Sequence, residues 1–265
     1  ACRLRERPHR SGREPKRTPI MTGSIQFVQR PANPAPEQNK QAEEHAELLI
    51  VQSDFDGTIT TSNIGDAIKE AFGPEGWTDL EAEYQAGNLT AEQNTIRQFA
   101  MIDAAQEDIE ELVKGEVVMR FMFDEFVHHC HGVGIRLDVV SSGLHTYIDA
   151  ILNMLLFDHI QVHAGQSEFT SEGIQVTYTG PDGQNLDSGF KAAWTDQFKS
   201  EGHTVVYVGD GRSDLEAAKR ADHVIATSGL AEEMTRLELP FHPFENFEHV
   251  GERVEEIRAE LGGGN

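Results

Sequence analysis

The sequence predicts an α/β fold: a parallel sheet covered by helices on both faces, with a small all-helical cap inserted after the first strand. Three observations carry this. Short apolar runs alternate with helix-length segments along most of the chain, the pattern of a parallel sheet buried on both faces. The stretch from Asn63 to about Val127 interrupts the alternation and reads as helices alone. Polar residues recur directly after the apolar runs, where sheets of this kind bind ligands.

Each element follows from its own residues. Residues 1–20 hold seven basic residues against two acidic ones and are followed by Met21, so they read as an upstream extension. Pro31, Pro34 and Pro36 with the polar run Glu37 to Glu44 extend this into a flexible tail and lead-in over 1–46. Leu48 to Val51 is a buried strand that ends in Ser53-Asp54-Phe55-Asp56-Gly57-Thr58. Four amphipathic segments come next: Ile64 to Phe72, Trp77 to Ala86, Thr90 to Ile102 and Ala105 to Val113. Gly73-Pro74 and Gly87-Asn88 break them. Alternation then resumes with Leu137 to Val140, a helix from Leu144, and Ile160 to Val162. A hairpin near Phe169 to Tyr178, a helix from Phe190, Val205 to Val208, a helix from Asp214 and Val224 to Ala226 complete it. The expected division is a Rossmann-like core of 47–62 and 128–262 with a cap of 63–127.

Composition narrows the function classes. With 265 residues and 38% hydrophobic content the chain can bury a substantial core. Its formal charge is -23, and with the basic tail set aside the rest bears about -28, which repels nucleic-acid phosphates and anionic lipid heads. No nucleic-acid or membrane partner is expected, and such an acidic surface suits a salt-adapted organism. The most apolar stretch, Ile148 to Ile160, is interrupted by Asp149, Asn153 and Asp158, short of the roughly 18 apolar residues a spanning helix needs. Cys2 and Cys130 supply neither a disulfide framework nor a cysteine-rich zinc site, so a cytoplasmic location is expected.

The strand-end clusters are Asp54 and Asp56; Ser141, Ser142 and Gly143; Lys191 ahead of a later helix; and Gly209-Asp210-Gly211 with Asp214. Four carboxylates on one rim raise one another's pKa unless a cation neutralises them, and magnesium suits an oxygen-ligand site completed by water and phosphate. Ser141, Lys191 and the backbone N–H groups near Gly143 supply donors for a dianionic phosphate.

In this order the clusters resemble the four motifs of the haloacid-dehalogenase-like (HAD) phosphohydrolase superfamily, covering about Leu48 to Ala226. The helical insertion is similar to the cap of its phosphoserine-phosphatase-like branch. Ile59-Thr60, Asn63-Ile64, Trp77, Gly87-Asn88-Leu89-Thr90, Leu239-Pro240-Phe241, Pro243-Phe244 and Phe247 look like the methionine-salvage enol-phosphate phosphatases within that branch. The resemblance implies that Asp54 attacks phosphorus to form an aspartyl-phosphate. Asp56 would then protonate the leaving alcohol and later take a proton from the attacking water. It further implies Mg2+ held by Asp54, the Asp56 backbone carbonyl and Asp210, with Asp214 ordering Lys191 or a metal-bound water. Phosphate would lie on Ser141, Ser142, Gly143 and Lys191.

Competing readings are weaker. A calcium loop starting at Asp54 would need Gly at its sixth position and Glu at its twelfth, where Ile59 and Gly65 stand. Ser141 competes with Ser142, and Lys191 with Lys199. His128, His129, Cys130 and His131 point in different directions if helical and cannot share an ion. His145 reads as a plain first-turn residue, and Phe121, Met122 and Phe126 as core or cap-to-core seam. For the substrate, Asn63 stands nine residues after the nucleophile, where phosphoserine phosphatases place a glutamate that meets the substrate amine, and Arg97 is a cap candidate for the substrate tail. The expectation is a small phosphorylated metabolite. Phosphoserine phosphatase is the alternative, and a non-catalytic phosphate- or metal-binding relative is the alternative of another class.

Overall fold

The computed structural model describes residues 48–262; the expected tail and lead-in of 1–46 lies outside the described residues. An eight-stranded sheet of order β5-β4-β3-β2-β1-β6-β7-β8 forms the centre. Strand β1 (Leu49–Ser53) is fully buried and lies between β2 (Arg136–Leu144) and β6 (Thr204–Gly209), parallel to both. Its Leu-Ile-Val run is apolar on both faces because helices cover both. Beyond β2 run β3 (Gln161–Thr170), β4 (Gly173–Thr179) and β5 (Asn185–Leu186), the last two pairing antiparallel as a hairpin extension. On the other side β7 (His223–Ala226) and β8 (His242–Pro243) continue the parallel sheet. The α/β expectation holds.

Four cap helices follow β1: α1 (Ile64–Phe72), α2 (Trp77–Gln85), α3 (Ala91–Phe99) and α4 (Gln106–Glu116). Asn63 caps α1 by accepting from the Asp66 N–H, and Thr90 with Gln93 forms a capping box at α3. An antiparallel bridge between Thr60 and Met119 closes the base of the insertion. The expected boundary at Val127 needs correction. Helix α5 (Phe123–Val133) runs through it, and its Phe123, Phe126 and Val127 are buried in the core. There Phe247 packs edge-on against Phe123 and tilted against Phe126. Phe121, expected in a core or seam, is instead 67% exposed.

The remaining helices are α6 (His145–Met154), α7 (Phe190–Ser200), α8 (Leu215–Ala218), α9 (Ser228–Arg236) and α10 (Phe247–Gly262). Buried Gln52 ties the sheet to α7, donating to the Lys191 carbonyl at 3.0 Å and accepting from Thr195 at 2.8 Å. The β2–β3 register shifts between Val140 and Leu144, so Ser141-Ser142-Gly143 leaves the regular ladder at the sheet's carboxyl edge. None of the described helices is long and apolar enough to cross a membrane.

Candidate active site

The carboxyl ends of β1, β2 and β6 and the start of α7 meet in a cleft of about 410 Å³, roofed by α1, α2 and α3. Asp54, Asp56, Ser141, Ser142, Gly143, Lys191 and Asp210 all line it. The strand ends bring these residues together from more than 150 positions of sequence.

Lys191 is the hub. Its Nζ lies 2.8 Å from Asp54 Oδ2, 2.6 Å from Asp214 Oδ1 and 3.1 Å from Ser213 Oγ. Burial works against its charge, but the Asp214 and Asp54 carboxylates outweigh it and hold the ammonium above its ordinary pKa. The rival Lys199 is instead an exposed residue paired with Asp222. Asp214 is fully buried and accepts four hydrogen bonds: Lys191 Nζ and the Tyr207 hydroxyl at 2.6 Å, Gly211 N at 2.8 Å and Asp210 N at 3.0 Å. Both its oxygens are occupied, and its contact is with Lys191 and the turn that presents Asp210.

Asp54 and Asp210 differ from it. Asp54 Oδ1 is buried and makes no hydrogen bond among the described residues, although its partner oxygen holds Lys191. Burial pushes the Asp54 carboxyl up to about 8, against the pull of Lys191 and with added pressure from Asp214 and Asp210. Burial and Asp214 likewise push Asp210 up to about 6. Asp54, Asp210 and Asp214 offer ligand atoms within 4.8 Å of one another, the one such acidic group among the described residues. An orphaned buried carboxylate oxygen facing crowded negative charge fits a hard divalent cation.

Asp56 is placed for a different task. Its Oδ1 accepts from Ile64 N at 2.7 Å and its Oδ2 from the Tyr147 hydroxyl. Burial raises its pKa in spite of both bonds, so it can carry a proton into a reaction. Gly57 (φ +78°) turns the loop, and a Cβ there would sit 2.3 Å from Asp210 Oδ2. Thr58 Oγ1 donates to Asp210 Oδ1 at 2.9 Å. Arg120 pins the loop from below, donating to the carbonyls of Gly57, Thr58 and Glu245.

On β2, Ser141 Oγ is buried and accepts from Gly143 N at 3.0 Å, while Ser142 Oγ makes no hydrogen bond among the described residues. Gly143 is required sterically: a Cβ there would lie 1.9 Å from the Tyr147 hydroxyl. Asn63 reaches the cleft, but its carbonyl oxygen is spent on capping α1. Arg97 is corrected outright, since it is exposed on α3 and lies outside the cleft. The histidine cluster does not converge: His128 bonds the Asp124 carbonyl, His129 pairs with Glu255, and Cys130 is buried. His145 pairs with Asp149. Tyr147, Gln52, Arg120 and the cap residues Lys69, Glu81 and Asn94 carried no motif; each gains its place from tertiary contacts alone.

The family model for haloacid dehalogenase-like hydrolases matches residues 51–219, most of the described chain. The chain belongs to this family. Similar curated proteins include 2-hydroxy-3-keto-5-methylthiopentenyl-1-phosphate phosphatases. That of Brevibacillus brevis is 28% identical over 80% of this chain and 98% of its own length. That of Geobacillus thermodenitrificans is 29% identical over 80% and 97%. In fold, the HAD chain is similar to a phosphoserine phosphatase solved as a phospho-aspartyl intermediate analogue (TM-score 0.60, 19% identity, 77% of this chain and 97% of that one). A substrate-bound phosphoserine phosphatase gives 0.58 at 20% identity, over 76% and 96%.

Proposed function

We propose that this HAD hydrolase is a magnesium-dependent phosphomonoesterase that cleaves a small phosphorylated metabolite through an aspartyl-phosphate on Asp54. One observation carries the reading. Asp54 combines a lysine-held oxygen with an orphaned one, and it stands two residues from a buried carboxyl, Asp56, suited to proton transfer. The residues fit a bound Mg2+ through Asp54, Asp210 and, as the family resemblance implies, the Asp56 backbone carbonyl. When bound, that ion neutralises charge on the carboxylates and the phosphate.

The chain's own residues supply the rest. Lys191, Ser141, Ser142 and the Gly143 loop bind the phosphate oxygens and set phosphorus opposite Asp54. An Asp54 oxygen bonds to phosphorus as the bond to the leaving oxygen breaks, and Asp56 passes its proton to that oxygen. Water then bonds to phosphorus and gives its proton to Asp56, and the bond from Asp54 to phosphorus breaks, which restores both carboxyls. Tyr147 and the Ile64 N–H hold Asp56 in place through both steps. The cap excludes bulk water and limits the substrate to a small molecule.

For the substrate, the names of the relatives support the methionine-salvage enol phosphate, 2-hydroxy-3-keto-5-methylthiopentenyl 1-phosphate. Asn63 disfavours phosphoserine because a neutral amide cannot pair with an ammonium. The test is phosphate release from a panel of small phosphomonoesters, with magnesium or with chelator. Release that needs magnesium and is lost in Asp54→Asn is expected; release without magnesium, or from the variant, overturns the mechanism.

A further inference from the structure

The cap wall of the cleft holds a polar network that the phosphoryl chemistry does not use. Glu81 is its anchor. It accepts from Gln85 at 2.8 Å, from Asn94 Nδ2 at 2.9 Å and from Gln98 Nε2 at 3.4 Å. Burial pushes the Glu81 carboxyl up, yet these donors and the charge of Lys69 pull it below its ordinary value. Three amide donors thus hold it as an anion on the cleft wall. Gln98 Oε1 in turn accepts from Lys69 Nζ at 2.9 Å, and Asp66 lies 2.7 Å from the same ammonium.

Two residues of this network line the cleft with hydrogen-bonding capacity unspent. Asn94 is 5% exposed, and its Oδ1 makes no hydrogen bond among the described residues. The orientation of that amide is fixed by Glu81, whose carboxylate needs the NH2 end, so the acceptor is the end left over. Lys69 is 6% exposed and has three N–H donors, of which Asp66 and Gln98 take two. Its ammonium also lies 5.1 Å from the centre of the Trp77 ring, which fixes the stem against the wall. Both residues line the cleft together with Asp54 and Asp56. A buried acceptor without a donor is costly while the cleft is empty and useful where a substrate supplies the donor.

Charge limits what that substrate can be. Asp66 neutralises Lys69, Glu81 adds a second carboxylate, and the Arg212 guanidinium is bound to the Gln85 carbonyl at 2.7 Å. The wall therefore offers one hydroxyl acceptor and one oxygen-directed donor, with no net positive charge for a carboxylate tail. We infer that Lys69 and Asn94 select a neutral leaving group bearing both a carbonyl and a hydroxyl, with Lys69 donating to the former and Asn94 Oδ1 accepting from the latter. This rests on the phosphatase reading above and assigns the specificity within it to α1 and α3. A group built to hydrogen-bond such oxygens rejects an analogue that lacks them, because its own polar atoms are then left buried and unpaired.

The experiment compares kcat/KM for three five-carbon or smaller monophosphates: ribulose 1-phosphate, n-pentyl phosphate and phosphoserine, with 4-nitrophenyl phosphate as reference. Wild-type enzyme is expected to favour ribulose 1-phosphate over both others by at least tenfold. In Lys69→Met and in Asn94→Leu, each checked for folding by circular dichroism, the ratio to n-pentyl phosphate should fall about five- to tenfold. A wild-type ratio near one, or a ratio that neither variant changes, overturns the inference even where 4-nitrophenyl phosphate is cleaved briskly. Failure of the wild type to cleave any of the four esters sinks the phosphatase reading and this inference with it.

Discussion

Asp214→Asn should damage the protein far more than Asp210→Asn, although the two aspartates are four residues apart in the same acidic cluster. Asp214 accepts from Lys191, Tyr207, Asp210 N and Gly211 N and is fully buried. An asparagine amide offers one accepting oxygen and turns an NH2 toward donors, so two of the four bonds become donor against donor. Removing one member of a buried ion pair costs about 3–5 kcal/mol. At about 2–4 °C per kcal/mol for a domain of this size, the midpoint should fall by about 6–20 °C. Asp210 has the opposite sign in the metal-free protein. A carboxyl held at about 6 instead of near 4 destabilises the folded state at pH 7 by up to about 3 kcal/mol. Asp210→Asn in chelator should therefore stabilise by about 1–3 kcal/mol. Thermal and urea unfolding of the three proteins in chelator supply both numbers. A loss below about 1 kcal/mol for Asp214→Asn, or equal losses for the two variants, refutes the distinct placing of these carboxylates.

Arg120→Ala removes donors to the carbonyls of Gly57, Thr58 and Glu245 and a cation–π contact with Phe244. It should lower the midpoint by about 5–10 °C and kcat by about tenfold, with Arg120→Lys recovering less than half of either in thermal melts and phosphate-release assays. Asp138 is buried beneath Arg136 and His163. Although burial opposes it, these partners hold its pKa below the ordinary value. Its contribution is thus present above about pH 4 and lost as pH falls through the depressed folded pKa. Asp138→Asn should cost about 2 kcal/mol in urea unfolding at pH 7, with the gap to wild type closing in acid. Burial pushes the Cys130 thiol up to about 12, so peptide mapping after iodoacetamide should find Cys130 unmodified in folded protein and modified in urea.

The gathering of these residues in one cleft is legible in sequence because strand ends place their next residues on one rim. Asp54, Asp56, Ser141 and Asp210 needed only the apolar runs before them, and Lys191 only its helix start. The cap helices were legible from Gly73-Pro74 and Gly87-Asn88, which end their periodic segments. Spacing puts Asp214 in the same cluster but cannot reveal the four donors it accepts from. Arg97 failed for a related reason: a cap arginine reads alike on either face of α3, and packing turned this one to solvent. The cap boundary at Val127 fell within α5 because Phe123 and Phe126 are as apolar as cap residues, and only their contact with Phe247 assigns them to the core. Tyr147 and Arg120 had no local signal, since each acts on a loop more than 60 positions away.

The most direct test of the mechanism is chemical trapping of the residue that carries phosphorus. Enzyme mixed with a small phosphomonoester and magnesium is quenched in acid within one turnover, reduced with borohydride and mapped by mass spectrometry. Reduction of an aspartyl-phosphate yields homoserine, and the account predicts it at Asp54 alone, in wild type and not in Asp54→Asn. Homoserine at another aspartate, or its absence from every residue while phosphate is released, would contradict the assignment of Asp54 as nucleophile.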